Sequence, residues 1–227
     1  MHVIAFASQK GGSGKTTLAG HIAVEAEYQG AGPVALIDTD PQGSLSQWWN
    51  AREAERPFFV SPSADGLEAD LEKLKLGGIE LVVIDTPPAI TATIHHVIAQ
   101  ADLVVIPTRP SPHDLRAAGA TVQICEELGK PLAFALNGAS PRARITTEAV
   151  IALSQHGAVA PSIIHQRIDF ASSMIDGRTV REIASNTKSP DEIAGLWGFL
   201  ADRLAGRETS PLTSPATAFG DALRGAA

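Results

Sequence analysis

The chain has 227 residues, a formal net charge of −7 and one cysteine, Cys125. This length suffices for one α/β domain with a full core. The acidic balance argues against a uniformly basic nucleic-acid binder, although local basic patches stay possible. One cysteine excludes both a disulfide framework and a cysteine-rich metal site. The sequence contains no apolar stretch of membrane-spanning length and no export signal, so we expect a cytoplasmic protein.

The first predicted elements are a strand, a glycine-rich loop and a helix. Residues 3–7 are an apolar run, residues 18–24 have helical spacing, and the loop KGGSGKTT (residues 10–17) lies between them. Glycine accepts positive φ and lets an anion approach the backbone, and the helix N-terminus adds its dipole. The sequence therefore predicts a phosphate-binding loop. Its backbone contacts are assigned to Gly11, Gly12, Ser13 and Gly14.

Three side chains of this loop have predicted roles toward a nucleotide. Lys15 is placed to reach the β- and γ-phosphates, the Thr16 hydroxyl to ligate Mg²⁺, and Thr17 to help hold the α-phosphate. The general pattern G-x-x-x-x-G-K-[ST] begins with glycine and needs one lysine. Here Gln9 occupies the first position and Lys10 is a second lysine, so the loop is a deviant form of the pattern.

Apolar runs alternate with helical stretches along the rest of the chain. Continuous apolar strands are typical of a parallel sheet that is covered on both faces, so we predict a doubly wound, mostly parallel α/β fold flanked by helices. The domain is predicted to span residues 1–206, and the Ala-, Ser- and Pro-rich residues 207–227 are expected to form a flexible or loosely docked tail. The further predicted strands are residues 34–37, 81–84, 103–106, 132–136 and 158–164.

Carboxylates follow two of these strands. Ligands of doubly wound sheets bind at the carboxyl ends of the strands, so Asp38, Asp40 and Asp85 are candidate site residues. Asp85 closes an apolar strand as a Walker B aspartate does and is predicted to hold Mg²⁺ through a water. Asp38 and Asp40 alternate along an extended segment, so their side chains should point to opposite sides. We assign Asp40 to the attacking water and Asp38 to the outer shell of the metal.

Together these motifs resemble the ParA/MinD group of deviant Walker ATPases, and most of all the short ParA proteins that lack an N-terminal DNA-binding domain. The matching segments are residues 9–17, 38–44 and 83–88. The resemblance implies an ATP hydrolase that uses ATP and Mg²⁺, with weak intrinsic activity that DNA and a partner protein stimulate. It also implies a homodimer in the ATP state, in which Lys10 touches the phosphates bound by the other subunit. Lys10, Lys15 and Asp40 are the predicted catalytic residues.

The resemblance extends to the second half of the chain. Asn137 matches an asparagine that family members turn toward adenine, although Asn before Gly138 is also a common turn pair. Residues 164–170 and 176–182 resemble a region that closes over the base. The family further implies a ParB-like adaptor, a positioned cargo, association with the nucleoid, and non-specific DNA binding by the C-terminal helices. The available cations there are Arg167, Arg178, Arg181, Lys188, Arg203 and Arg207.

Two other functions stay open at this point. A metabolic ligase of the dethiobiotin synthetase type also couples a phosphate loop to a small substrate, but it does not need Lys10 together with Asp40. A MinD-like ATPase positioned on a membrane needs an amphipathic C-terminal helix with basic flanks. The tail of this chain has only one basic residue after residue 207, Arg224, so we expect no membrane partner.

Overall fold

A computed structural model describes residues 1–64, 66–89, 92–183 and 186–207. Seven strands within these ranges form one sheet with the order β3-β2-β4-β1-β5-β6-β7, and every strand pair in it is parallel. The predicted doubly wound parallel sheet is thus confirmed. The strands are β1 (His2–Phe6), β2 (Val34–Asp38), β3 (Phe58–Val60), β4 (Leu81–Asp85), β5 (Leu103–Thr108), β6 (Leu132–Leu136) and β7 (Ala158–Val159).

In the described part of the chain, eight α-helices cover the two faces of this sheet. Leu18 and Ile22 of the first helix and Trp197 of the last pack against one face, whereas Ile94 and Val122 belong to the core on the other face. The apolar runs of the strands are continuous because both of their faces are covered. The helices are α1 (Lys15–Tyr28), α2 (Ser44–Asn50), α3 (Leu67–Leu76), α4 (Ala92–Gln100), α5 (Pro112–Glu127), α6 (Arg144–Ser154), α7 (Ile168–Ser173) and α8 (Ser189–Leu204), with a 3-10 turn at Met174–Asp176.

The two edges of the sheet differ from the prediction. The edge strand β3 was not predicted, because it is short and its Phe58 is exposed, so it lacks a continuous apolar run. At the other edge, residues 158–164 were predicted as one strand, but only Ala158–Val159 pairs regularly with β6. The Ala160 N–H still donates to the Phe134 carbonyl at 2.9 Å, but Pro161, the next residue, has no N–H to donate to a ladder, so the strand does not continue.

The register of the central strands brings the ligand-binding ends together. Phe6 of β1 pairs with Asp85 of β4, and Asp85 in turn pairs with Asp38 of β2. The phosphate loop leaves β1, the middle strand of the seven, at this same edge. Residues that are far apart in sequence therefore surround one point at the carboxyl edge of the sheet.

The predicted tail lies outside the described residues from position 208 onward. Every helix in the described ranges is too short or too polar to cross a membrane.

Candidate functional site

The phosphate loop forms one wall of a cleft of about 440 Å³ at the carboxyl edge of the sheet. Gly12 and Gly14 have φ of 73° and 102°, a conformation that favours glycine. A Cβ atom at Gly14 would lie 2.0 Å from the Asn137 side-chain nitrogen, so the close approach of the two segments also requires glycine. The cleft is lined by Gly11, Gly12, Gly14, Lys15, Thr16, Thr17, Asp40, Arg109, Asn137, Gln166, Arg167 and Phe170, among others.

Lys15, which lines this cleft, and Asp85, which is hydrogen-bonded to the cleft residue Thr16, are buried charged residues. Lys15 is only 6% exposed, and burial lowers the pKa of its ammonium group, an effect that the nearby carboxylates of Asp85 and Asp40 partly offset. Asp85 is fully buried, and desolvation raises its pKa to about 7, although the hydrogen bond from Thr16 opposes that shift. Perturbed charges that face a cleft are typical of ligand sites.

The pair of Thr16 and Asp85 has the chemistry of a magnesium site. The Thr16 hydroxyl donates to Asp85 Oδ2 at 2.5 Å, and the buried Asp85 Oδ1 has no hydrogen-bond partner within the described ranges. Buried polar atoms are normally satisfied, so an orphaned carboxylate oxygen indicates an absent partner. Hard oxygen donors beside a phosphate site suit Mg²⁺, so Thr16, predicted as a ligand, and Asp85, predicted to hold the ion through a water, fit this ion.

Asp38 has a different task from Asp40. Its Oδ1 accepts the Asp40 N–H at 3.0 Å, and its Oδ2 accepts both the N–H and the hydroxyl of Ser46 at 3.0 and 3.1 Å. Asp38 thereby fixes the loop between β2 and α2. Asp40, which that loop carries, lines the nucleotide cleft. The outer-shell contact of Asp38 with Mg²⁺ stays a prediction, as does the contact of Asp40 with the attacking water.

Lys10 leaves the phosphate loop in another direction. Its Nζ lies 2.5 Å from Asp114 Oδ2, and it lines a neighbouring cleft together with Arg109 and Ser111. From the sequence, Asp114 was placed only within residues 107–114, which resemble the segment that lines the dimer interface in this group of ATPases, and it was given no role of its own. The available signal was the spacing of Ser111 and Asp114, which is that of a helix N-cap; the Asp114 N–H indeed donates to the Ser111 hydroxyl at 3.2 Å at the start of α5.

Asn137, the residue directly after β6, connects that strand to the phosphate loop. Its side-chain nitrogen donates to the Ser13 carbonyl at 2.7 Å, so the amide holds the loop directly. The predicted contact with adenine stays a prediction. Arg109 also lines this cleft. From the sequence it was placed only within residues 107–114, the segment resembling a dimer interface, and its position just after β5 was the signal that could have marked it as a cleft residue.

The six cations predicted for DNA binding are mostly neutralised by carboxylates. Arg203 has its guanidinium 5.6 Å from the Phe199 ring, and Lys188 is exposed directly before α8. Arg167 additionally lines the nucleotide cleft. The four cations other than Arg203 and Lys188 each form an ion pair: Arg167 with Glu192 at 2.6 Å, Arg178 with Asp176 at 2.6 Å, Arg181 with Glu25 at 2.6 Å and Arg207 with Asp202 at 3.3 Å.

A parallel sheet, a glycine-rich loop at its central strand and a buried lysine, threonine and aspartate beside that loop define a P-loop nucleotide-binding protein. The chain belongs to the CobQ/CobB/MinD/ParA nucleotide binding domain family, whose sequence profile matches residues 4–208. This match confirms the resemblance inferred from the motifs.

Individual proteins agree with this assignment. The chain is 30% identical over 204 residues to the maintenance of carboxysome distribution protein A of Halothiobacillus neapolitanus, covering 84% of this chain and 92% of that protein. Among solved structures, the MinD cell division protein of Aquifex aeolicus superposes with a TM-score of 0.71 at 19% identity, over 94% of this chain and 100% of that one. An ATP complex of a Cyanothece McdA variant gives a TM-score of 0.68 at 19% identity, over 92% and 98% of the two chains. The structural likenesses show the shared fold.

Proposed function

We propose that this protein is a ParA-like ATPase that dimerises on binding ATP, binds DNA without sequence preference in that state, and positions a cargo until partner-stimulated hydrolysis releases it. Three things support the proposal. The family is one of nucleotide-binding domains, and a relative at 30% identity is a maintenance of carboxysome distribution protein. In addition, the two lysines of the loop line different clefts, Lys15 the nucleotide cleft and Lys10 the neighbouring one. The placement of Lys10 and Lys15 in two different clefts is the main observation behind the proposal.

Lys15 serves the nucleotide of its own chain. It lines the cleft beside Thr16 and Asp40, where its ammonium would meet the β- and γ-phosphates of ATP. Thr16 and Asp85 would hold Mg²⁺, which when bound neutralises charge on the phosphate oxygens. Asp40 is the residue that would orient the attacking water. The loop backbone at Gly12 and Gly14 supplies the remaining phosphate contacts.

Lys10 serves a second copy of the chain. It lines the adjacent cleft, with its ammonium held by Asp114 and 39% of its side chain exposed. Phosphoryl transfer is catalysed mainly by positioning and by neutralising charge on the transferring oxygens. A lysine delivered by a partner completes the site only in the dimer, so hydrolysis depends on dimerisation.

Non-specific DNA binding then follows from the presence of two copies of the basic surface in the ATP dimer. Among the described residues, a single copy offers few cations free of carboxylates near α8, and Lys188 is the exposed member of the predicted set that forms no ion pair there. Two copies joined by ATP double the number of phosphate contacts, and affinity rises steeply when both copies engage one DNA. The acidic remainder of the protein, with a net charge of −7, favours release of the monomer. Association with the nucleoid is the expected result.

The proposal is tested by sedimentation and ATP turnover at a series of protein concentrations, with ATP, ADP or no nucleotide. The wild type should dimerise only with ATP, and its turnover per subunit should rise with protein concentration. Lys10→Ala should bind ATP but show no such rise, whereas Lys75→Ala, which removes an exposed lysine of α3, should behave as the wild type. A turnover independent of concentration and unchanged by Lys10→Ala would reject the dimeric mechanism.

A second measurement addresses DNA and the competing ligase. Fluorescence anisotropy with a random-sequence DNA duplex should show binding with ATP only, and the affinity should fall steeply with salt. Phosphate release in the absence of any small-molecule acceptor agrees with the proposed ATPase. Turnover that begins only when a carboxylate or amine acceptor is added would support the metabolic ligase instead.

A further inference from the structure

We infer that Asp114 is a positioning residue for Lys10: it holds the lysine in its own subunit and thereby sets the protein concentration at which the ATP dimer forms. The inference rests on the proposed function, in which Lys10 acts on the nucleotide of the partner. The evidence is the ion pair between Lys10 Nζ and Asp114 Oδ2, at 2.5 Å, in the cleft next to the nucleotide site.

Asp114 is buried, so its carboxylate depends on the ion pair with Lys10 for charge compensation. Asp114 is 5% exposed, and its Oδ2 accepts from both Lys10 and the Ser111 hydroxyl. Its Oδ1 is buried and has no hydrogen-bond partner in the parts of the chain that the structure describes. Lys10 is therefore the cation that compensates this buried charge, and the ion pair contributes to holding the loop side chain in place.

Release of Lys10 has a cost for the same reason. When the ammonium moves to the phosphates of the partner, Asp114 loses its ion pair and remains a buried carboxylate with the Ser111 hydroxyl alone. Leaving a buried charge without its partner is strongly unfavourable. ATP-driven dimerisation must overcome that cost, so Asp114 opposes the dimer and keeps dilute protein monomeric.

The pair can separate without a rearrangement of the fold. Lys10 is 39% exposed, and the cleft around the pair has a volume of about 360 Å³, lined by Gly11, Ser140 and Ile145 among others. A lysine side chain has four rotatable bonds between its backbone and its ammonium group. The movement therefore needs rotation of one side chain, whereas Asp114 is fixed at the first turn of α5.

The test removes the charge of Asp114 and keeps its shape. Asp114→Asn should lower the dimer dissociation constant about tenfold with a slowly hydrolysed ATP analogue, a ratio equivalent to 1.4 kcal/mol. It should also raise ATP turnover at low protein concentration by a similar factor. In nucleotide-free monomer, Lys10 should become more reactive toward reductive methylation, measured by mass spectrometry against Lys75 in the same sample.

Matched variants separate this role from a general effect on the fold. Asp202→Asn removes another ion-paired carboxylate, on α8, and should change none of the three readouts. Asp114→Glu keeps the charge and should remain near the wild type. In the Lys10→Ala background, Asp114→Asn should not raise the residual turnover, because the residue that it releases is missing. If the asparagine variant does not fold, Asp114→Ser serves the same comparison.

Two results overturn the inference in distinguishable ways. An unchanged dimer constant and unchanged Lys10 reactivity in Asp114→Asn, with Lys10→Ala inactive, refute the role of Asp114 alone. Normal stimulated turnover in Lys10→Ala refutes the role of Lys10 in the partner's site, and the proposed function fails with it.

Discussion

The nucleotide cleft and the C-terminal segment around residues 176–182 both contain buried charges, but the two regions treat those charges differently. Next to the cleft residue Thr16, burial raises the pKa of Asp85, and its Oδ1 has no hydrogen-bond partner among the described residues. In the C-terminal segment, Arg181 forms a two-bonded ion pair with the fully buried Glu25, at 2.6 and 2.7 Å. Charges that lack partners indicate a place for a ligand, whereas charges that are satisfied indicate structure.

The two regions are also joined through α1. Glu25 and His21 both lie on this helix, which begins at the phosphate loop. His21 is fully buried; its Nδ1–H donates to the Thr17 carbonyl at 2.8 Å, and its Nε2 lies 3.5 Å from the Ser173 hydroxyl of α7. The C-terminal segment therefore supports the helix that presents its N-terminus to the phosphates.

The largest expected effect concerns the cleft. Lys15→Ala should lower ATP hydrolysis about a thousandfold, because a preorganised positive charge at the phosphates is lost. Thermal unfolding of the unliganded protein should change little, since the ammonium forms no ion pair among the described residues and burial, which lowers its pKa, outweighs the attraction of Asp85 and Asp40. Turnover and calorimetric ATP binding check this, with Lys75→Ala as control. A loss of stability without a loss of turnover would mean that the cleft is structural.

The next effect concerns the satisfied charges. Arg181→Ala should lower the free energy of unfolding by about 3 kcal/mol, because it leaves the buried Glu25 without its partner. Arg178→Ala breaks an exposed pair with Asp176 and should have a much smaller effect on stability. Urea denaturation compares the two variants. Equal losses of stability would contradict the distinction between the buried and the exposed pair.

The same two variants sharpen the assignment of the DNA surface. If Arg178 contacts DNA phosphate, its removal should reduce the salt dependence of DNA binding by about one ion, uniformly across sequences. Arg181→Ala should leave DNA binding unchanged where it is folded, because the Arg181 guanidinium is paired with the buried Glu25. Anisotropy titrations at several salt concentrations, at a temperature where both variants are folded, provide the measurement.

The smallest expected effect concerns His21 of α1, the helix that connects the nucleotide cleft to the C-terminal segment. Desolvation lowers the pKa of His21 from 6.5 to about 4, so the unfolded chain binds a proton there that the folded protein does not. The stability linked to His21 should therefore be complete above pH 6.5 and be lost as the pH falls toward 4, by up to about 3 kcal/mol. Denaturation curves across this range should show a weaker acid dependence for His21→Gln than for the wild type.

A control for this pH effect is the exposed His156. His156→Gln should retain the acid dependence of the wild type, because an exposed ring is accessible to water in both states. If His21→Gln and the wild type lose stability in parallel, the acid sensitivity arises from carboxylates elsewhere.

Sequence reasoning recovered the elements whose signals are local. The apolar runs of β1, β2, β4, β5 and β6 are continuous because these strands are buried on both faces, so their positions were predicted correctly. The edge strands were not, since β3 is partly exposed and β7 is cut short before Pro161. In the site, the loop glycines, Lys15, Thr16 and Asp85 were placed together because parallel strands share one carboxyl edge.

The sequence by itself determined the family, the phosphate loop and the sheet, because glycine conformation, helix dipoles and strand burial act over a few residues and leave a readable pattern. Only the tertiary structure decided which charges are compensated. The ion pair of Lys10 with Asp114 joins residues that are 104 positions apart in sequence, and that of Arg181 with Glu25 joins residues 156 positions apart. Electrostatic pairing depends on distance in space and on burial, and neither is written in the spacing of charged residues along the chain.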